Sequence, residues 1–362
     1  MSDIEKPREI INEIDKEMAR LFEMRMKAVE EIAQYKKENA LPIDDCNREA
    51  DMLSRNCEYI SNEQYRAYYV NFLENNIKIS KDFQHRIHEG LRVAYSGVEG
   101  AFANIAANRI FPDAKSIAYS DFKAAYNSVE RGECDCVILP IENSFNGDVG
   151  NVLDLAFFGS LYINGVYEAE INQNLLAVKG AALDDIKKII SHPQALGQCA
   201  SFIEKNGFET INAVNTAVAA KSVADNNDKC VAAIGSIEAA ELFGLQVLRE
   251  KINDSALNTT RFAVFSRSKR KPTQLDDRFI MLFTVNNTAG SLGEAISIIG
   301  RYGFNLKALK SRPTKKLVWD YFFYVEGEGN INSAKGKEML THLKDFCPNL
   351  KIIGTFEKEI EI

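Results

Sequence analysis

A long segment without glycine or proline, residues 8–38, constrains the first part of this chain more than any other feature. Its apolar residues recur at helical spacing, which predicts one long amphipathic helix. A second helix is predicted from a cap at Asp44 or Asp45 to Asn56, and a third over about residues 62–88. The pattern therefore predicts an all-α N-terminal domain. The apolar positions of the first helix are Ile10, Ile14, Met18, Leu21, Val29 and Ile32.

Helix geometry places three cations of the first helix relative to one another. Arg25 and Lys36 are eleven residues apart, about three turns, so they share a face with ~16 Å between their Cα atoms. Arg8 lies seventeen residues before Arg25, about 25 Å along the same helix. A small dianion bound by all three would therefore take Arg8 from a second chain. The alternative is a helical hairpin or coiled-coil dimerisation module whose charged faces are only solvated.

Composition narrows the classes of function. The chain has 362 residues, 46% apolar and 26% charged, with a net charge of -7 and a pI near 5.4. Its length suggests two or three domains, and its acidity argues against a nucleic acid partner. No apolar run approaches the ~18 residues of a membrane span, and the first residues are charged, so we expect a cytoplasmic protein without a membrane partner. Seven scattered cysteines suggest reduced thiols, and no metal site is expected.

The middle of the chain, residues 91 to about 268, alternates strands and helices, which indicates an α/β domain with two lobes and a cleft between them. An apolar strand at residues 136–141 runs directly into Glu142-Asn143-Ser144, and ligands in open α/β sheets bind at the carboxyl ends of strands. Thr260 and Arg261 precede a second apolar strand. They are either ligand-binding groups or an ordinary strand edge with a surface arginine. A non-enzymatic binding protein would share this layout.

The last part of the chain follows a basic linker at residues 267–272. Its pattern is β-α-β-β-α-β, which predicts an α+β, ferredoxin-like domain, a fold that says little about function. The predicted strands are residues 279–285, 305–310, 318–326 and a segment near Ile352, and the predicted helices are residues 290–302 and 333–346.

Three separated motifs resemble the prephenate dehydratase family. They are Pro140-Ile141-Glu142-Asn143-Ser144, then Ser191-His192-Pro193-Gln194 with Gln198-Cys199, and then Thr260-Arg261-Phe262. The N-terminal segment resembles an all-helical chorismate mutase, and the C-terminal segment resembles an ACT regulatory domain. The resemblance implies a multidomain chain: chorismate mutase at 1–90, a two-lobed, periplasmic-binding-protein-like dehydratase at 91–268, and an ACT domain at 278–362. It implies no metal or organic cofactor.

For the helical segment, the resemblance implies an intertwined homodimer or higher homo-oligomer in which each site takes one arginine from the partner. Chorismate rearranges to prephenate without a nucleophile, so the site has to hold the folded conformer and stabilise charge on the breaking ether oxygen. Lys36 and Gln84 would donate to that oxygen. The substrate-binding residues that the resemblance implies are Arg8, Arg25, Asp45, Arg48, Glu49 and Ser80.

For the central segment, the resemblance implies loss of carbon dioxide and of the ring hydroxyl from prephenate, which leaves phenylpyruvate. Thr260 would donate to the departing hydroxyl. His192 is either a general acid or a structural residue before a helix. The turn at residues 97–103 departs from the family's motif, since Ala101 and Ala103 replace two hydroxyl residues. The other dehydratase residues that the resemblance implies are Glu142, Asn143, Ser144, Arg261 and Phe262.

For the C-terminal segment, the resemblance implies a sensor of L-phenylalanine that inhibits the dehydratase. Lys310 stands where the family has glutamate, and Gly293 departs from a second motif. Two alternatives stay open: a central cleft that senses a ligand without catalysis, and arogenate instead of prephenate as the dehydration substrate. The matching regulatory positions are Gly290, Ser291, Leu292, Ser311 and Arg312.

Overall fold

The computed structural model describes residues 4–255, 257–314 and 321–362, and the chain divides into two compact units, Met1–Arg92 and Val93–Ile362. The first unit is helical, as the sequence predicts. Asp45 caps the second helix because its carboxylate accepts the backbone N–H of Arg48 at 3.2 Å. The helices of this unit are α1 (Glu5–Glu38), α2 (Cys46–Cys57) and α3 (Glu63–Glu89).

The N-terminal half of α1 exposes its apolar face. Near the other end of α1, which packs against α3, Val29 and Ala33 are buried. Ile10 is 62% exposed and Leu21 is 50% exposed. An amphipathic helix normally buries such a stripe against another element, so the described part of one chain leaves this stripe uncovered. No helix among the described residues is long and apolar enough to span a membrane.

The second unit is built from strands and helices that alternate along most of its length. Its strands are β1 (Arg92–Ser96), β2 (Lys115–Tyr119), β3 (Cys136–Asn143), β4 (Gly147–Asp148), β5 (Tyr162–Glu170), β6 (Asn174–Ala177), β7 (Lys188–Ser191), β8 (Glu209–Asn212), β9 (Val231–Gly235), β10 (Gln246–Arg249), β11 (Thr259–Ser266), β12 (Arg278–Thr284), β13 (Asn305–Pro313), β14 (Tyr321–Glu328), β15 (Asn349–Phe356) and β16 (Ile360–Glu361). Its helices are α4 (Phe102–Ile110), α5 (Phe122–Glu130), α6 (Gly150–Phe158), α7 (Pro193–Gln198), α8 (Ala200–Asn206), α9 (Thr216–Asn226), α10 (Ile237–Phe243), α11 (Ser291–Arg301) and α12 (Ala334–Phe346), with a 3-10 turn at Leu183–Asp185.

The strands form two sheets, one in each lobe. The small lobe has the order β10-β6-β9-β7-β8, and the large lobe has the order β5-β11-β3-β1-β2. The chain leaves the large lobe after β5 and returns through β11, which pairs antiparallel with both β5 and β3. This is the two-lobed α/β layout that the sequence predicts. No disulfide joins any of the cysteines in the part of the chain that the structure describes.

The C-terminal segment continues the sheet of the large lobe. Its strands add in the order β13-β14-β12-β15, and β15 pairs with β5 through Gly354 and Ile163. Phe322 of β14 stacks on Phe157 with ring centroids 4.0 Å apart, and it belongs to the apolar core that the large lobe and this segment share. The β-α-β-β-α-β prediction is confirmed, although residues 318–320 of the predicted third strand lie outside the described residues.

One strand boundary differs from the prediction in a way that affects function. The sequence ended the apolar strand at Ile141, but β3 continues through Glu142 to Asn143. The extension exists because Glu142 and Asn143 pair with Arg261 and Thr260 of β11. Neighbouring strand residues point to opposite faces of a sheet. Glu142 and Asn143 therefore do not line the same surface, contrary to the expectation that both face the cleft.

Candidate active sites

A cavity of about 150 Å³ lies among the three helices of the first unit. Seven of the eight predicted mutase residues line it: Arg25, Lys36, Asp45, Arg48, Glu49, Ser80 and Gln84. The eighth, Arg8, is exposed on the N-terminal part of α1 and does not line the cavity. The structure therefore brings together residues from three helices and leaves Arg8 apart from them within one chain.

Cations line the cavity, and the oxygen of one buried amide there has no hydrogen-bond partner among the described residues. Arg25 donates to the hydroxyl of Ser80, and burial lowers the pKa of this guanidinium from its ordinary value. Lys36 Nζ donates to the carbonyl of Ile43 at 2.7 Å. Gln84 is 7% exposed, and its Oε1 has no hydrogen-bond partner among the described residues. A buried polar atom without a partner costs about 1–3 kcal/mol, so Gln84 is suited to a ligand in the cavity.

An ion-pair cluster that the sequence analysis missed borders the same cavity. Lys81 Nζ lies 2.6 Å from Asp44 and 3.1 Å from Glu49. The hydrogen bond to Lys81 lowers the pKa of Asp44 and raises the pKa of Lys81 itself. Lys81 directly follows Ser80 on α3, but a lysine in an exposed helical pattern gives no signal that it turns toward the site. Asp45 contributes differently, since its carboxylate is the cap of α2.

In the large lobe, Asn143 and Thr260 face each other on paired strands. The amide Nδ2 of Asn143 lies 2.9 Å from Thr260 Oγ1. The carbonyl Oδ1 accepts the backbone N–H groups of Phe145 at 3.1 Å and Asn146 at 3.0 Å. These two donors fix the orientation of the amide, so Nδ2 donates to the threonine oxygen. The hydroxyl proton of Thr260 is then free to be donated to another acceptor.

A chain of buried amides extends from Asn143 toward the small lobe. Asn143 Nδ2 also donates to Asn258 Oδ1 at 3.0 Å, and Asn258 Nδ2 donates to Gln198 Oε1 at 3.0 Å. Gln173 Nε2 donates to the same oxygen at 3.3 Å, while Gln173 Oε1 has no partner among the described residues. Sequence reasoning quoted Gln198 in a motif but gave no role to Gln173 or Asn258. The signal was the presence of Asn258 two residues before the Thr260-Arg261-Phe262 motif.

Three further predicted residues have structural partners. Ser144 Oγ donates to the carbonyl of Leu257 at 2.7 Å and accepts the N–H of Thr259 at 2.9 Å, which ties its loop to β11. Phe262 is 2% exposed, so its side chain lies within the packed interior. His192 caps α7, since its Nδ1 accepts the N–H of Gln194 at 3.2 Å. This cap is the structural alternative that the sequence left open for His192.

Glu142 and Arg261 lie together on the other face of the sheet. Arg261 is 2.9 Å from Glu142, 2.8 Å from Glu326 and 3.2 Å from Glu359. Burial disfavours the cation, but Glu326 and Glu142 outweigh it and raise the pKa of Arg261. Burial likewise opposes the Glu142 carboxylate, yet hydrogen bonds from Lys310 and Arg261 lower its pKa. These two predicted site residues therefore contact the C-terminal segment, not the Asn143–Thr260 pair.

The predicted regulatory residues lie on two elements of the C-terminal segment. Gly290 has a φ of 90° at the start of α11, a conformation that favours glycine, and Leu292 follows in the first turn. Ser291 Oγ lies 2.6 Å from the hydroxyl of Thr288. On β13, Ser311 is exposed, and Arg312 makes a two-pronged ion pair with Asp154 of α6 at 2.6 and 3.0 Å. Arg312 thus faces the large lobe, with Lys310 on the same side of the strand.

Comparison with known proteins accounts for both units. The prephenate dehydratase family model matches residues 93–270, and the chorismate mutase type II model matches residues 7–85. A bifunctional chorismate mutase/prephenate dehydratase of Buchnera aphidicola is 31% identical over 97% of this chain and 96% of its own length. An arogenate dehydratase/prephenate dehydratase of Arabidopsis thaliana is 31% identical over 75% of this chain and 73% of its own. The crystal structure of a prephenate dehydratase from Arthrobacter aurescens in complex with L-Phe is 28% identical, with a TM-score of 0.69, over 74% of this chain and 90% of that one.

Proposed function

This chain belongs to the family of bifunctional chorismate mutase/prephenate dehydratases, and we propose that its mutase site is the cavity of the helical unit and its dehydratase site is centred on Asn143 and Thr260. The chain converts chorismate to prephenate, and prephenate to phenylpyruvate, in L-phenylalanine biosynthesis. The observation that carries the assignment of the mutase site is that seven predicted residues line one cavity. One of them, Gln84, is buried there, and its amide oxygen has no partner among the described residues, so its amide is free to turn toward a ligand.

The mutase reaction needs cations at the carboxylates and donors at the ether oxygen. Arg25 binds a carboxylate of chorismate, and Lys36 and Gln84 donate to the ether oxygen as charge builds up on it. To do so, the amide of Gln84 presents its NH2 group to the substrate, and Lys36 exchanges its bond to the Ile43 carbonyl for one to the ether oxygen. Arg48 lies on the carboxylate side, and the acidic residues Asp45 and Glu49 hold the ring hydroxyl. No nucleophile or metal takes part in this pericyclic step.

A second copy of the chain completes this site. The exposed apolar stripe of α1 at Ile10 and Leu21 needs a partner surface, and the described residues of one chain do not cover it. Arg8 lies on the same half of α1, about 25 Å from Arg25 along the helix axis. A homodimer in which the α1 helices pack against each other buries the stripe and brings each Arg8 to the partner's cavity.

The dehydration step uses the oriented hydroxyl of Thr260. Prephenate loses its ring carboxylate as carbon dioxide, and the electron pair of that bond expels the ring hydroxyl, which leaves as water after it receives a proton. Thr260 donates to the departing hydroxyl because Asn143 already occupies its acceptor side. Thr260 is 9% exposed, and exclusion of water from the carboxylate favours its loss.

The C-terminal segment acts as an ACT domain that binds L-phenylalanine and inhibits the dehydratase. Support comes from its β-α-β-β-α-β order and from the L-Phe complex of the Arthrobacter aurescens relative. Gly290, Ser291 and Leu292 supply the helix start, where backbone amides receive a carboxylate, and Ser311 and Arg312 lie on β13. We also propose a cytoplasmic location, since no disulfide joins the cysteines of the described residues and cysteines stay reduced there.

The test of both assignments is one time course with chorismate. The purified chain is expected to release prephenate first and phenylpyruvate after it. Thr260→Val removes the hydroxyl without changing the shape of the side chain and is expected to stop the reaction at prephenate. Thr259→Val is the matched control, since the neighbouring threonine faces the other side of β11, and it is expected to keep both activities.

One result of this time course would contradict the dehydratase assignment. If the unaltered chain accumulates prephenate, the result supports the alternative in which the central cleft senses a ligand without catalysis. Arogenate is tested in the same assay with purified substrate. The presence of a mutase unit in the chain favours prephenate, so turnover of arogenate is expected to be slower.

A further inference from the structure

Lys310 lies between two carboxylates of the large lobe. Its ammonium nitrogen is 2.9 Å from Glu142 Oε1 and 2.6 Å from Asp148 Oδ1. The two acids belong to β3 and β4, which pair antiparallel with Glu142 directly opposite Asp148. The lysine comes from β13 of the C-terminal segment, and its side chain is only 13% exposed. A cation from one part of the chain thus holds together two facing strands of another.

The two acids would repel each other without this cation. Like charges directly opposite on paired strands destabilise the pair. The side chain of Lys310 is 13% exposed, whereas those of Glu142 and Asp148 are 30% and 38% exposed, so solvent screens part of this repulsion and the buried cation neutralises the rest. Arg261 also pairs with Glu142, but its guanidinium is shared with Glu326 and Glu359. The charged and titratable groups that face Glu142 are Asp148 on β4, Arg261 on β11, Lys310 on β13, and Tyr324 and Glu326 on β14.

Asn143 lies on the next rung of the same hairpin, where it pairs with Gly147. Its Oδ1 holds the turn through the N–H groups of Phe145 and Asn146, and its Nδ2 reaches Thr260. A shift of the Glu142–Asp148 rung therefore moves Asn143 relative to Thr260. A misplacement of about 1 Å at a catalytic group can lower a rate about 10²-fold.

We propose that Lys310 is a positioning residue for the dehydration step: it neutralises the Glu142–Asp148 rung and thereby holds Asn143 against Thr260. The inference rests on the proposed roles of Asn143 and Thr260. It also gives a physical role to a lysine that stands where the family has glutamate. Since Lys310 directly precedes Ser311 and Arg312, a ligand at these regulatory positions reaches the dehydratase through the same strand.

A second ion pair fixes the strand that carries Lys310. Arg312 lies two residues further along β13, on the same face, and grips Asp154 through two hydrogen bonds. Asp154 belongs to α6, which begins directly after β4 at Gly150. The two cations of β13 therefore hold both ends of the segment from Glu142 to Asp154. The lysine sits at the end that carries Asn143.

The test is Lys310→Met in the full chain, assayed separately with chorismate and with prephenate. The dehydratase kcat is expected to fall roughly 10- to 100-fold, with KM for prephenate little changed and the mutase rate unchanged. Loss of the lysine removes a cation that lowers the pKa of Glu142, so the pKa of this carboxyl rises, and its protonation at lower pH relieves the repulsion from Asp148. The loss of rate, measured against the unaltered chain at the same pH, is therefore expected to be smaller at pH 5.5 than at pH 8.

Rescue separates positioning from a general loss of structure. Lys310→Met combined with Asp148→Asn removes the repulsion and is expected to regain most of the dehydratase rate, and Lys310→Arg is expected to keep it. Lys307→Met is the matched control, because Lys307 lies on the same strand but contacts Glu359 at 3.1 Å. It is expected to stay within about twofold of the unaltered rate, like an ordinary surface change.

The proposal is overturned if Lys310→Met keeps its dehydratase rate, or if its loss is equal at every pH and unrelieved by Asp148→Asn. Failure of the underlying function gives a different result. In that case Thr260→Val would fail to stop the reaction at prephenate, whatever the effect of Lys310→Met.

Discussion

The amide of Asn143 donates to Thr260 Oγ1 over 2.9 Å, and it does not accept the threonine proton, because its carbonyl oxygen is held by two backbone N–H groups of the following turn. Thr260 thus enters the reaction with its acceptor side filled and its proton available. The same amide belongs to a chain that continues through Asn258 and Gln198 to the small lobe. This hydrogen-bond chain therefore links the small lobe to the amide that orients the threonine proton.

Asn143→Asp is expected to abolish most of the dehydratase activity. An aspartate keeps the two bonds to the turn but cannot donate to Thr260, so the threonine turns its proton toward the carboxylate. Loss of one oriented donor lowers kcat by about 10²- to 10³-fold. The measurement is phenylpyruvate formation from purified prephenate, with mutase turnover of the same sample as the control. A full dehydratase rate would remove Asn143 from the mechanism.

Lys36→Ala is expected to raise the mutase barrier by roughly 3 kcal/mol, as loss of an oxyanion donor does. Lys36 lines the cavity, whereas its neighbour Lys37 donates to the carbonyl of Ile87 at 2.8 Å outside it. Lys37→Ala is therefore the matched control for charge and helix propensity. The measurement is the disappearance of chorismate, with helix content checked by circular dichroism. Equal rates in the two variants would contradict the role of Lys36.

Mixing two inactive variants tests whether Arg8 acts on the partner's site. Arg8→Ala and Lys36→Ala are each expected to lose mutase activity as homodimers. A mixed dimer contains one site with both natural residues, so random reassembly of equal amounts is expected to recover roughly a quarter of the natural rate. The mixture is denatured and refolded together before the assay, and separately refolded chains serve as the control. If Arg8 served its own chain, the mixture would gain no activity.

The sequence predicted the mutase cavity better than the dehydratase site, and the difference has a physical cause. Helical periodicity is local, so the spacing of Arg25 and Lys36 already predicted that they share a face of α1. In the sheet, β3 extends two residues beyond its apolar run, and this extension turns Glu142 away from the cleft that it was expected to line. That extension depends on pairing with β11, more than a hundred residues away, which no local pattern reveals.

The amide chain and the ion cluster lay beyond sequence reasoning for the same reason. Gln198 of the small lobe meets Asn258 although sixty residues separate them, and Lys310 meets Glu142 because the C-terminal segment extends the sheet of the large lobe. The sequence identified Lys310 as a charge reversal against the family's pattern. Its partners became apparent from the strand order of the structure.

Acid is expected to weaken the joint between the large lobe and the C-terminal segment. The pKa values of Glu142 and Glu359 both lie below the ordinary value of 4.5, since hydrogen bonds and nearby cations outweigh burial. A carboxylate with a lowered folded pKa contributes stability above its unfolded pKa, and that stability is lost as the pH falls from about 4.5 through the lower, folded value. The urea midpoint is therefore expected to receive a constant contribution from these groups between pH 6 and pH 5 and to drop as the pH falls below about 4.5. Glu359→Gln is expected to lower the urea midpoint at pH 6 and to reduce the dependence of the midpoint on pH. If that pH dependence is unchanged in Glu359→Gln, Glu359 does not contribute to it.

L-phenylalanine is expected to lower the dehydratase rate and to leave the mutase rate unchanged. If its binding moves β13, it moves Lys310 and Arg312 with it and loosens Asn143 from Thr260. Coupling between two sites is reciprocal, so prephenate must weaken binding of L-phenylalanine by the same factor by which L-phenylalanine weakens binding of prephenate. Calorimetric titration of L-phenylalanine into Thr260→Val, with and without prephenate, measures that factor without turnover. Adding Asp154→Asn, which releases Arg312 from α6, is expected to reduce this coupling factor. A coupling factor of one in Thr260→Val itself would show that the C-terminal segment does not communicate with the dehydratase site.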